Sequence, residues 1–302
     1  MRVLVTGAGG YLAGAAIPLL VESGLTVIPV TRDGRTVPGI GATKGADLAD
    51  RAAVTRLLSA ERPDAVLHLA AHLPDPAAPA VVTERRSQRD NQDATIGLAR
   101  AAHEAGVKRF VFASSISVYP EIPADGIAHA EDDPLEPRGI YGAHKAAGEH
   151  EIAALWTTTE KENAVILRLA GIHGPPRRDG AVHAFCRAAV AGEPLSVAAP
   201  DSTFSFVFRP DAAIACHLAL ATPIDGGTHV FNIGGETATL RSIARRIIGL
   251  GGSASRAEIG DAPARHQAMR IDKARAVLGY VPGGLDLRLE SCVTFARSEA
   301  AA

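Results

Sequence analysis

The chain has 302 residues, 47% of them hydrophobic, with 31 basic against 33 acidic side chains and a formal net charge of −2. A chain so apolar is globular rather than disordered, and its balanced charge gives no footing for nucleic acid or an anionic membrane as a partner. Cys186, Cys216 and Cys292 are odd in number and far apart, with no Cys-x-x-Cys or His-Glu-x-x-His spacing; no disulfide framework and no metal site is expected, and the expected setting is a reducing cytoplasm.

Residues Val3 to Val30 are apolar on average, but Glu22 and Gly7, Gly9, Gly10, Gly14 and Gly24 interrupt them, and Arg2 alone precedes them. They read as strand, turn, helix and strand rather than a leader or a membrane span. Arg2 to Thr6 is the first strand, Leu12 to Ser23 a helix, and Thr26 to Val30 the second strand. A helix over Ala52 to Ala60 leads to a strand over Ala65 to Ala70, and a Pro- and Ala-rich loop covers Pro74 to Pro79. A helix over Asn91 to Ala105 leads to a strand over Arg109 to Ser114. The long helix Tyr141 to Leu155 precedes a strand over Ala164 to Leu169. Continuous apolar strands separated by helices predict a doubly wound parallel α/β sheet covered on both faces, of Rossmann type. The regularity fades after Gly171, where Val182 to Ala191, Phe204 to Phe208 and Leu240 to Ile248 suggest a smaller lobe. The expected division is a dinucleotide-binding domain over residues 1–170, with part of the later chain returning to it, and a mainly substrate-binding lobe over 171–302.

The turn Thr6-Gly7-Ala8-Gly9-Gly10-Tyr11-Leu12-Ala13-Gly14 lies between the first strand and the first helix. Gly7 and Gly10 permit a tight turn and close backbone approach, and the helix start that follows presents N–H groups and partial positive charge to a pyrophosphate. The end of the second strand bears on the cofactor type. An acid there binds the ribose 2′-hydroxyl of NAD, but this chain has Thr31-Arg32-Asp33. Arg32 suits a 2′-phosphate through two parallel hydrogen bonds, which favours NADP(H) and leaves NAD(H) open.

The chain resembles the extended short-chain dehydrogenases/reductases, the group of nucleotide-sugar epimerases, dehydratases and ketoreductases. The resemblance rests on the glycine turn, Asp47-Leu48, His68-Leu69-Ala70-Ala71, Asn91, the run from Val107 to Ser115, Val118-Tyr119, Tyr141-Gly142-Ala143-His144-Lys145, Leu167-Arg168, Phe231 to Gly234, and Asp272 with Leu278 to Pro282. It implies that Asp47 and Leu48 lie beside the adenine, and that Tyr11, Leu12, Leu69, Ala70, Ala71 and Asn91 belong to the cofactor site. It also implies a homodimer joined through the helix after Asn91 and the helix of Tyr141. Three departures matter. Ala13 replaces the third glycine of the turn. Ile116-Ser117 follows Ser115 where dehydratases carry an Asp-Glu pair for water elimination. Phe204 or a neighbour takes the place of an Arg found before a segment ending in Asp211, which weakens a diphosphate-linked substrate, although Arg177 and Arg178 remain as an alternative clamp.

Tyr141 and Lys145, four apart, share one helix face. A phenol is a poor acid–base catalyst near neutrality, and an adjacent ammonium favours its phenolate. The pair is expected to pass a proton to or from a carbinol oxygen while hydride moves to or from the nicotinamide. The resemblance gives Ser115, four residues before Tyr119, the role of holding the reacting oxygen. His173, Arg177, Phe204 and Phe206 are the substrate candidates, with His183 and Cys186 also placed in the lobe; Arg168 is expected to fix a loop and His144 to pack on its helix. The leading expectation is an NADPH-dependent ketoreductase acting on a sugar-like or small-molecule ketone. The alternatives are a nucleotide-sugar epimerase with retained NAD and, more remotely, a non-enzymatic NADP sensor.

Overall fold

A computed structural model describes residues 1–73, 80–123, 125–251 and 255–301; the loop expected over Pro74 to Pro79 lies outside them. In chain order the elements are β1 (Arg2–Thr6), α1 (Ala13–Glu22), β2 (Thr26–Thr31), β3 (Lys44–Gly45), α2 (Arg51–Glu61), β4 (Ala65–His68), α3 (Ala80–Ser87), α4 (Ala94–Glu104), β5 (Arg109–Ser115) and α5 (Gly139–Trp156). They continue as β6 (Asn163–Leu169), β7 (Gly171–His173), α6 (Ala181–Ala191), β8 (Leu195–Val197), β9 (Thr203–Phe208), α7 (Arg209–Ala221), β10 (Gly227–Ile233), β11 (Thr237–Thr239), α8 (Leu240–Gly251), β12 (Ala257–Ile259), β13 (His266–Gln267) and α9 (Leu285–Ala300).

Seven strands form one sheet in the order β10-β6-β5-β4-β1-β2-β3, and every pairing is parallel. Its central strands are apolar through their middles, at Val3–Val5, Ala65–Leu67 and Phe110–Ala113, because helices cover both faces. On one face α1 and α7 bury Ala16, Ile17, Leu20, Ala212 and Ala219. On the other, α2, α4 and α5 bury Val54, Leu58, Leu98, Ile152 and Trp156. Trp156 is fully buried against Phe110, with ring centroids 5.4 Å apart, so it serves the core. The order of connection reverses between β1 and β4, and at such a switch point the strand ends leave a crevice.

The later chain divides its service. β10 joins the main sheet beside β6 and α7 packs on its face, whereas α6, α8 and α9 enclose a separate apolar cluster around Phe185, Ile243 and Leu289. Beside that cluster β9 carries β7, β11 and β13, and β8 pairs with β12. Several expected boundaries move, two of them beside the crevice. β4 ends at His68 rather than Ala70, because Leu69–Ala71 turn away to wall the crevice. The helix expected from Asn91 starts earlier, as a π-helical turn over Gln88–Asp93 that runs into α4.

Candidate active site

Two contiguous cavities open at the carboxyl ends of β1, β4 and β5, of ≈ 480 Å³ and ≈ 520 Å³. Gly7, Gly10, Leu69 and Ala71 line both. Gly7 has φ +69°, and a Cβ on it would stand 2.7 Å from the Ala70 Cα, so the turn and the end of β4 touch backbone to backbone. α1 begins beyond this turn with no acidic residue in its first turn and no side-chain cap. The positive end of its dipole therefore meets the cavity without an acidic neighbour on the helix, which suits an anion. Ala13 is 1% exposed within the core, so its methyl is accommodated away from the cradle. Tyr11 and Leu12 line the second cavity; the Tyr11 hydroxyl donates to the Gly174 carbonyl, and its own carbonyl accepts from Arg209 Nε at 2.7 Å.

The first cavity takes in Thr31, Arg32, Asp33, Arg35, Asp47, Leu48, Ala70 and Arg86. Thr31, at the place expected of an acid, is tied into its own loop: its Oγ1 accepts from the Gly34 amide at 3.0 Å and pairs with Thr43 Oγ1 at 2.7 Å. Arg32 turns toward Asp90, 2.8 Å away, and Asp47 pairs with Arg89. Arg32, Arg35 and Arg86 have side chains 54%, 64% and 59% exposed, which leaves three guanidinium groups facing one rim. Asn91 is placed differently from the expectation of a direct cofactor contact. Its amide accepts from the His72 N–H at 2.7 Å and donates to the His72 carbonyl at 2.8 Å, so it fixes the segment after β4 instead.

The second cavity brings Ser115, Tyr141 and Lys145 together. Ser115 ends β5, where its Oγ accepts from the Ser117 amide at 3.1 Å and caps a 3-10 turn over Ile116–Val118. Gly142 lets α5 press on that turn; a Cβ there would stand 3.0 Å from the Ser117 carbonyl carbon and closer still to its oxygen. Lys145 Nζ donates to the Ala113 carbonyl at 2.7 Å and lies 5.7 Å from the Tyr141 ring centre. One turn on, Glu149 accepts from Ser114 and makes a buried pair with Arg168, at 2.7 Å, whose Nη1 also reaches Tyr119 Oη at 2.6 Å and the Glu131 carbonyl at 2.8 Å. Arg168 thus fixes the 131 loop, as expected from its place at a strand end.

Burial governs the charges. It pushes the Tyr141 phenol up to about 12. It pulls Lys145 down to about 7, only partly offset by the Glu149 carboxylate. His68, beneath them, falls to about 3 through its burial and then through Lys145. The sequence led us to expect Lys145 to lower the phenol. In the protein alone burial shifts each toward its neutral form, leaving the phenol protonated and the Lys145 ammonium easily discharged near neutral pH.

On the outer side the same cavity is walled by Phe204, Phe206, His173 and Arg177, all four of the expected substrate residues. The His173 and Phe206 ring centres lie 4.8 Å apart. The sequence reading missed Gln267 on β13, together with Ile172, Ser205 and Ile116. Gln267 and Ile172 sit on strands of two and three residues, too short to leave a local signal, and Ser205 lies between Phe204 and Phe206 on β9. Ile116 was noticed only as a missing acid. Arg178 and His183 instead face Glu299, and Cys186 is buried in the lobe's core. His144 Nδ1 lies 2.9 Å from Ser87 Oγ, on the side of α5 that packs toward α3.

The model of the NAD-dependent epimerase/dehydratase family matches residues 3–234, more than half of the chain. The chain belongs to that family. Within it, the UDP-glucose 4-epimerase of Mycolicibacterium smegmatis is 31% identical, with 93% of this chain and 94% of the relative aligned. Among solved structures, MoeE5 in complex with UDP-glucose and NAD superposes with a TM-score of 0.82 at 28% identity, covering 99% of this chain and 100% of the other. The Thermus thermophilus UDP-glucose 4-epimerase in complex with NAD gives 0.78 at 26%, covering 98% and 99%.

Membership makes this chain an enzyme of the extended short-chain dehydrogenase/reductase group, built on the family's Rossmann-like sheet with a smaller C-terminal lobe. These relatives carry the epimerase alternative further than the NADPH ketoreductase expected first. A dinucleotide fits the residues present, since the Gly7–Gly10 cradle borders both cavities and the uncapped start of α1 borders the second. When bound, the nicotinamide supplies a place for hydride to go or come from. No carboxylate is among the described residues lining the second cavity, where Ile116 and Ser117 stand in place of a dehydratase's Asp-Glu pair. No helix among the described residues is long and apolar enough to cross a membrane.

Proposed function

We propose that this chain performs epimerase-type oxidoreduction at a carbinol carbon of a sugar-like substrate, with the ketone held in place between the two halves of the reaction. Tyr141 takes the hydroxyl proton as the carbinol is oxidised and returns one as the ketone is reduced. Ser115 holds the reacting oxygen, and Lys145 supports the phenolate once a cationic nicotinamide shares the cavity. The observation that carries this reading is the meeting of Ser115, Tyr141 and Lys145 in one cavity contiguous with the glycine cradle. The epimerase relatives support return of hydride to the carbon that lost it.

The test is isotopic. A substrate deuterated at the reacting carbon is expected to give epimer that keeps its deuterium, with no net change in cofactor absorbance. Stoichiometric appearance of reduced cofactor, carrying the deuterium away from the carbon that held it, would reject epimerisation.

One observation favours a second reading, net reduction by NADPH. Thr31 replaces the acid at the end of β2, and Arg32, Arg35 and Arg86 border the cavity where a ribose 2′-phosphate would lie. On this second reading NADP(H) is the favoured cofactor, and it is expected to bind at least tenfold more tightly than NAD(H) in a fluorescence titration; the epimerase reading goes with retained NAD. Equal affinities, or a preference for NAD, would remove the support for reduction. We also propose a homodimer formed through α4 and α5, which an Arg100–Glu151 pair already joins at 2.6 Å within one chain, and a cytoplasmic setting; sedimentation at the monomer mass would refute the dimer.

A further inference from the structure

We infer that the substrate carried to Tyr141 is neutral: a sugar-like ring whose far side bears an apolar or aromatic group rather than a nucleoside diphosphate. This rests on the reading of the cavity as the reaction site, but concerns what lies beyond the reacting carbon.

The charges around the second cavity carry the argument. Among the described residues lining it, the cations are Lys145 and Arg177. Lys145 belongs to the reacting end, where its ammonium is engaged by the Ala113 carbonyl. Arg177 is engaged by its neighbours, so a phosphate would have to displace a carboxylate to reach it: its Nη1 donates to the Ile172 carbonyl at 3.0 Å, and its Nε and Nη2 both go to Asp179. The pair is neutral overall, and Arg177's hydrogen bond holds the Asp179 carboxyl below its usual range. The residues that the structure does not describe add nothing, since none of them is Lys or Arg. The start of α6 offers no anion site either. It opens on a separate recess of ≈ 10 Å³ that contains Asp179.

What the outer wall presents instead is aromatic. Phe204 and Phe206 lie two apart on β9 and so share its cavity face, meeting edge to face with centres 6.4 Å apart. His173 closes the wall beside Phe206, and its Nε2 is buried without a hydrogen-bond partner among the described residues. Burial, and then Arg177, push this ring down to about 4, so it is neutral at physiological pH and offers one hydrogen bond, not a charge. Ile116 and Ile172 add apolar surface, and Ser205 and Gln267 bring the same lining uncharged polar groups. A diphosphate placed here would lose its water without gaining a cation, a transfer that buried anions do not tolerate unless paired. A planar apolar group meets ring faces and edges at favourable spacing.

Saturation-transfer NMR on the cofactor-loaded protein tests this with 4-nitrophenyl β-D-galactopyranoside, UDP and UDP-glucose as probes. The nitrophenyl glycoside is expected to bind with its aromatic protons most strongly saturated, and Phe204→Ala, at a half-buried position, to weaken it at least tenfold. UDP and UDP-glucose are expected to bind at least tenfold more weakly than the glycoside. Phe204→Arg, which returns a cation to the wall, is expected to raise UDP affinity at least tenfold. UDP binding as tight as the glycoside's, or binding by neither class of probe, would overturn the inference. Such a failure leaves the catalytic reading untouched, because ligand binding does not call on Tyr141. That reading fails separately if Tyr141→Phe retains hydride transfer.

Discussion

Replacing Lys145 by Met should stabilise the protein near neutral pH while disabling the site. Lys145 is 2% exposed, and its burial holds it at about 7 against an ordinary 10.5. That drop corresponds to about 5 kcal/mol at about 1.4 kcal/mol per pH unit, as an upper figure for a fully buried group. The sign follows from proton counts. Between about 7 and 10.5 the unfolded chain holds a proton that the folded chain releases, so the parent gains stability as pH rises through this window. Below about pH 7 both states are protonated and the penalty is felt in full. Met removes the penalty but also the hydrogen bond to the Ala113 carbonyl, a loss of about 1.5–3 kcal/mol for a charged donor. The net expectation is a gain of about 2–3 kcal/mol near pH 6.5, shrinking to about zero near pH 9.5. Urea unfolding followed by the fluorescence of the buried Trp156 measures both values, and the difference between variant and parent cancels other titrating groups. A Met variant less stable than its parent by the same amount at both pH values would refute the buried-charge argument.

Gly142→Ala should keep the fold but push α5 away from the Ser117 carbonyl. A shift of about 1 Å at the Tyr141 end is expected to lower turnover about a hundredfold, and turnover within twofold of the parent in a steady-state assay would show that the close approach is dispensable. Glu149→Leu strands the Arg168 guanidinium in the core and is expected to cost about 3–5 kcal/mol, read as a lower urea midpoint; a loss below about 1 kcal/mol would mean that the pair is solvated. Arg32→Ala together with Arg35→Ala should weaken NADPH at least tenfold while changing NADH by less than threefold, whereas equal weakening of both would deny these residues a 2′-phosphate role.

The sheet was legible because strands covered on both faces carry continuous apolar runs. Val3 to Thr6, Ala65 to His68 and Phe110 to Ala113 announce themselves without any partner in view. The lobe was less legible for a physical reason. β7, β8, β11, β12 and β13 are two or three residues long, too short for any period to show. α7 opens with Arg209-Pro210, which reads as a break although proline is well suited to the first helical turn. At the site, the i,i+4 spacing of Tyr141 and Lys145 and the glycine turn were visible in sequence, and Ser115 entered through the family resemblance. Arg86 at the cofactor rim was hidden because α3 brings it from far along the chain. The direction in which Tyr141 titrates was hidden as well, since it depends on how deeply α5 buries the phenol. Asn91 was read as touching the cofactor when it instead clamps His72, a distinction only packing reveals.

The central claim is that Tyr141 becomes an acid–base catalyst only beside the oxidised dinucleotide. The protein has four tyrosines; burial holds Tyr11, Tyr119 and Tyr141 up at about 12 and raises Tyr280 as well. Ultraviolet difference titration of the free protein should therefore show no phenolate below about pH 10. With NADP⁺ or NAD⁺ bound, one phenolate should titrate about 1–3 pH units lower, as expected for a cation within about 4–6 Å, and it should vanish in Tyr141→Phe. Superimposable titrations of the free and loaded protein, or a shifted phenolate that survives Tyr141→Phe, would contradict the account.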